Sequence, residues 1–157
     1  MQYGYFDDKS KEYVITRPDT PQSWSNYLGS TEYGAIITNN AGGYGFYQSG
    51  ARGRFLRLRF NSIPMDQPGR YFYLRDNSNG DYWSASWQPV GKPLDQYRST
   101  CRHGTAYTVI TSQYSGIESE STLSNHSSII RVMNPHPSKR NTVRMTACGS
   151  LTQSLRM

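Results

Sequence analysis

No run of eighteen apolar residues occurs anywhere in this 157-residue chain, which excludes a membrane-spanning helix. The opening residues, "MQYGYFDDKSKEY", are charged and aromatic with no apolar centre, so they do not read as a secretory leader. Cysteine is almost missing. Cys101 and Cys148 stand in a chain without an export signal, and reduced thiols in the cytoplasm are the expectation. The sequon Asn125-His126-Ser127 would then meet no glycosylation machinery. Catalytic signatures are missing as well. No GxxxxGK[ST], GxGxxG, HExxH or GxSxG occurs, and His103, His126 and His136 lack metal-ligand spacing with one another or with the cysteines. Neither a metal nor an organic cofactor is expected.

Acids and aromatics are also missing from one end. Residues 121–157 hold no acid, no aromatic, five basic residues and 11 Ser/Thr, and few apolar pairs, such as Ile129-Ile130. The first 120 residues hold all 11 acids, 12 basic residues and all 21 aromatics. The net charge of +6 therefore belongs mostly to the tail, and the body is close to neutral. A near-neutral body argues against nucleic acid as the main partner. Residues 1–122 read as one domain, and residues 123–157 as a basic, poorly structured tail in which strand alternation stops at Leu123.

What is present in the body is strand and turn. Short runs with β-branched and aromatic residues recur at Lys11 to Pro18, Tyr33 to Thr38, Arg54 to Phe60, Gly69 to Asp76, Asp81 to Trp87 and Thr105 to Tyr114. In "RFLRLRF" Leu56, Leu58 and Phe60 alternate with Arg57 and Arg59. The stretch "NSNG" suits the turn of a hairpin over Arg70 to Trp87. "NNAGGYGFYQSG" could belong to a disordered glycine/aromatic tract, but apolar strand patterns flank it, so a strand–turn–strand connection is favoured. With roughly seven strands and no convincing helix, the fold class is all-β, an antiparallel β-sandwich.

Candidate chemistry is thin. Asp7 and Asp8 are adjacent and would leave opposite faces of a strand, so a solvated turn is favoured over a carboxylate pair. Cys101 and His103 are two apart and could share a face as a thiol–imidazole pair, with ordinary packing the favoured reading. The arginines Arg52, Arg54, Arg57 and Arg59 could meet phosphates, against the favoured reading of a wet strand face. Trp83 and Trp87, four apart on one strand, would leave the same face. Exposed, they would suit stacking on a sugar ring; buried, they would be core, and core is favoured.

Several stretches in series resemble the N-terminal region of the inverting phosphorylases of glycoside hydrolase family 94, which includes cellobiose, cellodextrin, laminaribiose and chitobiose phosphorylases. They are "YGYFDDKSKEYVITRPDTP" (3–21), "NYLG" (26–29), "NNAGGYGFY" (39–47), "RFNSIPMDQPGRYFYLRD" (59–76), "GDYWSASWQPVGKPLD" (80–95) and "CRHGTAYT" (101–108). The resemblance implies part of an antiparallel super-sandwich, preceding a helical barrel that carries the chemistry. It implies inverting phosphorolysis of a β-linked gluco-disaccharide or oligosaccharide, with inorganic phosphate as co-substrate and an acid that protonates the departing oxygen. It further implies a homodimer in the cytoplasm. No catalytic residue is carried onto this chain, which is expected to be inactive without the barrel. The alternative is a non-catalytic carbohydrate-binding sandwich using Trp83 and Trp87.

The family pattern departs at Ser23-Trp24-Ser25, at Gly45 and at "HGTAY" (103–107), and it ends after Thr122, where "LSNHSSIIR" replaces an apolar strand. Residues from about 123 are therefore expected to be an out-of-frame translation, with a native divergent tail as the alternative. A sandwich cut short would leave an unpaired edge, so the chain is expected to be marginally stable by itself.

Overall fold

The computed structural model describes residues 2–30, 32–54, 69–124, 128–133, 145–147 and 153–156. Among them the chain is all-β with no helix, as the sequence pattern predicts, but it forms thirteen strands where that pattern shows roughly seven. In order these are β1 (Gly4–Asp7), β2 (Glu12–Ile15), β3 (Ser25–Gly29), β4 (Tyr33–Thr38), β5 (Gly43–Tyr47), β6 (Phe72–Arg75) and β7 (Tyr82–Ser84), followed by β8 (Arg98–His103), β9 (Thr108–Tyr114), β10 (Ile117–Leu123), β11 (Ser128–Met133), β12 (Met145–Ala147) and β13 (Gln153–Arg156).

Seven strands form one antiparallel sheet in the order β1-β2-β8-β9-β10-β11-β12. The register places Ile15, Cys101, Ile110, Ser121 and Ile130 opposite one another in a single row across it. All five are buried. Two small sheets cover that face. The first, β3-β4-β5, packs Leu28, Ala35 and Ile37 against Ile15, Cys101, Ile110 and Leu123. The second, β13-β6-β7, packs Phe72, Leu74 and Trp83 against Ile130 and Val132. β13 joins β6 in parallel, the one such pairing among the described strands. Residues of the opposite face, such as Arg98, Thr100 and Arg102, are exposed, so the large sheet is apolar within and polar without. Burying a large aliphatic side chain contributes about 1.5–3 kcal/mol each, which is what binds the layers.

The turn within "NNAGGYGFYQSG" joins β4 to β5. Ile37 pairs with Gly43, whose φ is 135°, and a Cβ there would lie 1.8 Å from the Ile36 carbonyl oxygen. Only glycine fits. Asn39 is buried and fully used: its Oδ1 accepts from Trp24 N at 3.1 Å, and its Nδ2 donates to Pro18 O at 3.3 Å and Thr20 Oγ1 at 3.1 Å. The motif is thus a turn that fastens residues 18–24 to the small sheet.

The hairpin expected over Arg70 to Trp87 is present but shorter, since pairing ends at Tyr73↔Ser84. Arg54 lies at the edge of the described residues, bridged to Phe46, and the rest of "RFLRLRF" falls outside them. Most of the tail also lies outside. Within it, Ser128–Met133 is a strand whose Ile130 and Val132 turn inward while Arg131 turns outward. The sequence reading ended the alternation at Leu123; the strand resumes it five residues later.

Candidate functional site

A row of aromatic rings runs across the hairpin of β1 and β2 to the start of β3. Phe6 meets Tyr13 edge-on at 4.7 Å, Tyr13 meets Trp24 at 5.6 Å, and Trp24 meets Tyr3 at 6.1 Å. Asp7 ends β1, paired with Glu12, and Asp8 opens the turn that closes this hairpin. Asp7 accepts from the backbone of Lys9 and from the hydroxyl of Ser10, and the Ser10 bonds hold its carboxyl below the usual range. This is the solvated turn that the adjacent acids suggest. Facing the aromatic row is the β8–β9 turn, closed by Gly104 N donating to Tyr107 O at 2.9 Å. Between the two lies an open cleft of about 980 Å³, whose lining includes Phe6, Lys11, Glu12, Trp24, Asn26 and Thr105.

The cleft floor is a hydrogen-bond chain with a defined direction. Asn26 Nδ2 donates to Gly104 O at 2.8 Å and Tyr107 O at 3.0 Å, and it reaches Thr108 Oγ1 at 3.2 Å. His103 Nε2 lies 3.1 Å from Trp24 O, which can only accept, so Nε2 carries the proton. Nδ1 must then accept, and the Thr108 hydroxyl at 2.9 Å donates to it. This tautomer leaves the imidazole neutral, and burial lowers its pKa from the usual value, the bond to Trp24 opposing that shift. On the other face of β2, that of Val14 and Arg102, Glu12, 7 % exposed, accepts from Tyr107 Oη at 2.7 Å through Oε1.

Cys101 and His103 do share a face of β8, as their spacing predicts. The thiol sulfur lies 3.7 and 3.9 Å from the two ring nitrogens. Burial pushes the thiol pKa far up, so no thiolate forms, and the pair packs without acting as a nucleophile. The expected common face of Trp83 and Trp87 is not formed. β7 ends at Ser84, and Trp87 stands in a turn with φ 68°. Trp83 is 1 % exposed in the second core cluster, so its ring offers no face to a sugar. Trp87 packs against that cluster and donates its Nε1 to Lys92 O at 2.7 Å. Of the arginine row, Arg52 is exposed in a turn and Arg54 stacks 4.7 Å from the Tyr44 ring centre; Arg57 and Arg59 lie outside the described residues. Glu12, Asn26 and Tyr107 are the residues that sequence reasoning missed. They are separated by up to 95 positions, and no local spacing announces their meeting.

The model of the glycosyl hydrolase 94 supersandwich domain matches residues 11–126. The chain belongs to glycosyl hydrolase family 94. Its relatives in that family are similar over most of this chain and little of their own. It is 50 % identical over 123 residues to the N,N'-diacetylchitobiose phosphorylases of Vibrio proteolyticus and Vibrio furnissii, covering 78 % of this chain and 15 % of either relative. It is 34 % identical over 118 residues to a solabiose phosphorylase of Paenibacillus borealis, covering 73 % of this chain and 15 % of that one. The family 94 chain thus spans about 15 % of the length of the curated relatives it matches. Its aromatic cleft lies inside the matched domain: of the six lining residues named, all but Phe6 fall within 11–126.

Proposed function

We propose that this chain is the N-terminal supersandwich portion of an inverting phosphorylase of β-linked disaccharides, with N,N'-diacetylchitobiose as the first substrate to test. The observation that carries the reading is the 50 % identity with two diacetylchitobiose phosphorylases, against 34 % with the solabiose enzyme. In the proposed reaction an oxygen of inorganic phosphate attacks the anomeric carbon, the glycosidic C–O bond breaks with inversion, and an acid protonates the departing oxygen. Phosphate takes the place of the base-activated water of an inverting hydrolase, so a single acid suffices. That acid belongs to the part of the enzyme that this chain does not match. The supersandwich contributes a rigid wall beside it, in a cytoplasmic homodimer.

A chimera tests this. The 123 matching residues of the Vibrio proteolyticus enzyme are replaced by those of this chain, and sugar 1-phosphate release from N,N'-diacetylchitobiose and phosphate is followed. Retained phosphorolysis with inversion is expected. A folded chimera that cleaves none of the disaccharide would overturn the reading.

A further inference from the structure

We infer that β1 is a pairing edge for a second copy of this chain, joined antiparallel about a two-fold axis at Tyr5, so that Gly4 of one copy faces Phe6 of the other. Among the described strands β1 ends the seven-stranded sheet, with β2 as its one neighbour. Thr16 N donates to Tyr3 O at 2.8 Å, so the alternation of an antiparallel ladder turns the backbone groups of Tyr3, Tyr5 and Asp7 toward β2. Those of Gly4 and Phe6 then point outward. The one partner found for them among the described residues is the exposed side chain of Gln2, whose Nε2 donates to Gly4 O at 3.1 Å. Natural sheet edges are commonly blunted by lysine, proline or a bulge, and Gly4–Asp7 carries none of these. It carries two exposed rings instead, Tyr5 at 50 % and Phe6 at 78 %.

The strand's own residues select both the occupant and the register. With the axis at Tyr5, Gly4 and Phe6 of the two copies form two pairs that exchange two backbone bonds each, four in all. An axis at Gly4 or at Phe6 leaves one such pair within the strand, and an axis at Asp7 sets two carboxylates directly opposite. The side chains agree with the choice. Tyr5 meets its own copy in the close, non-hydrogen-bonded pair on the face of Val14, an aromatic pair of the kind that stabilises sheets. On the face of Tyr13 each Phe6 lies across from Gly4, where no side chain competes for space, and the two Phe6 rings are diagonal neighbours within reach of each other. Charge is complementary as well. Asp7 of one copy lies across from Tyr3 of the other, whose ring carries the Arg17 guanidinium 5.7 Å from its centre, so the two acidic turns stay at opposite ends. The pairing joins seven strands to seven and uses up both β1 edges, so it closes at two copies.

The pairing rests on the geometry of the edge and does not require the chain to be part of a phosphorylase. Sedimentation equilibrium of the full chain over a concentration series tests it, with near-UV circular dichroism as the check on folding. A reversible monomer–dimer equilibrium is expected. Tyr5→Lys sets like charges directly opposite and should weaken the dimer about tenfold or more. Phe6→Pro removes an outward N–H that β2 does not use, and it should weaken the dimer by a similar factor while keeping the fold. If either variant loses the wild-type dichroism, the other carries the test. Cysteine cross-linking reads the register. Tyr5→Cys brings two thiols together at a Cα separation of about 4.5 Å, within disulfide range, and should cross-link under diamide. Phe6→Cys sets its thiols on diagonal positions about 7–8 Å apart, and it should cross-link no more than the wild type, whose thiols are Cys101 and Cys148. A chain that stays monomeric at its highest soluble concentration would overturn the proposal. So would a dimer that both charge and proline leave unchanged, or equal cross-linking at positions 5 and 6. A monomeric chain that tolerates Tyr5→Lys, when the same substitution destabilises the chimera, would also overturn it and give the edge to the rest of the enzyme. Phosphorolysis by the chimera remains a separate readout, which none of these outcomes alters.

Discussion

The two small sheets lie on the same face of the same large sheet, yet they are held there by different means. The β3-β4-β5 sheet is fastened by directed hydrogen bonds around its apolar contacts: Asn26 to Gly104 and Tyr107, His103 to Trp24, and Asn39 to Pro18, Thr20 and Trp24. The β6-β7 hairpin is fastened mainly by aromatic bulk, with Trp83 5.1 Å from Tyr114 and Tyr97 at 6.1 Å from the same ring. Tyr97, whose pKa burial pushes up to about 12, ties the Ser84 carbonyl and the Trp87 amide through one hydroxyl. The difference is instructive. Apolar packing closes a surface without requiring a particular opening. Polar ties fix the separation of the strands they join, and the cleft lies at the polar end.

The largest effect should come from the apolar end. Trp83→Ala removes a fully buried indole and should cost about 3–5 kcal/mol, read as a lowered urea midpoint. Next comes the polar end, where shape alone cannot rescue. Asn26→Leu keeps the volume but leaves the Gly104 and Tyr107 carbonyls without their donor, and it should cost about 2–3 kcal/mol, at least as much as Asn26→Ala. If Asn26→Leu is neutral, the polar tie is dispensable and the contrast fails.

A smaller effect follows from pH. Burial lowers the folded pKa of His103 below 6.5, so between that value and 6.5 the unfolded chain binds more protons than the folded one. The contribution of His103 is therefore complete above pH 6.5 and falls as the pH drops through that window. Urea midpoints measured from pH 7.5 downward should fall more steeply for the wild type than for His103→Gln. The smallest effect concerns Ser121 in the central row, whose buried hydroxyl has no partner among the described residues. Ser121→Ala should leave stability unchanged or raise it by up to about 1 kcal/mol; a clear loss would mean that the hydroxyl is satisfied.

The parts of this fold legible in the sequence are those where apolar side chains mark the inward face. Tyr33–Thr38, Phe72–Arg75 and Thr108–Tyr114 carry that mark and were read as strands. Arg98–His103 and Ile117–Leu123 carry it only in part. The inward positions of the first are Ser99, Cys101 and His103, and those of the second are Ile117, Ser119, Ser121 and Leu123, so small or polar residues interrupt the hydrophobic period. They become strands because both neighbours offer paired backbone and because the small sheets press close on that face. Ser112 and Ser119 even satisfy each other at 2.8 Å there. The cleft was illegible for a related reason. In "KEYVITRP" Glu12 reads as one more wet charge. Only the arrival of Tyr107, 95 residues on, gives Glu12 its hydrogen-bond donor. The tryptophans misled in the opposite direction, since the strand carrying Trp83 ends before it reaches Trp87.

On the proposed function, this domain shapes a phosphorylase and the bond-breaking belongs to the part that the chain does not match. The most direct test incubates the folded 157-residue chain with N,N'-diacetylchitobiose and inorganic phosphate and follows sugar 1-phosphate over hours. The account predicts none above the uncatalysed background, with the disaccharide recovered intact. Steady formation of sugar 1-phosphate, abolished by Glu12→Gln in a chain that still folds, would contradict it and place chemistry in the supersandwich itself.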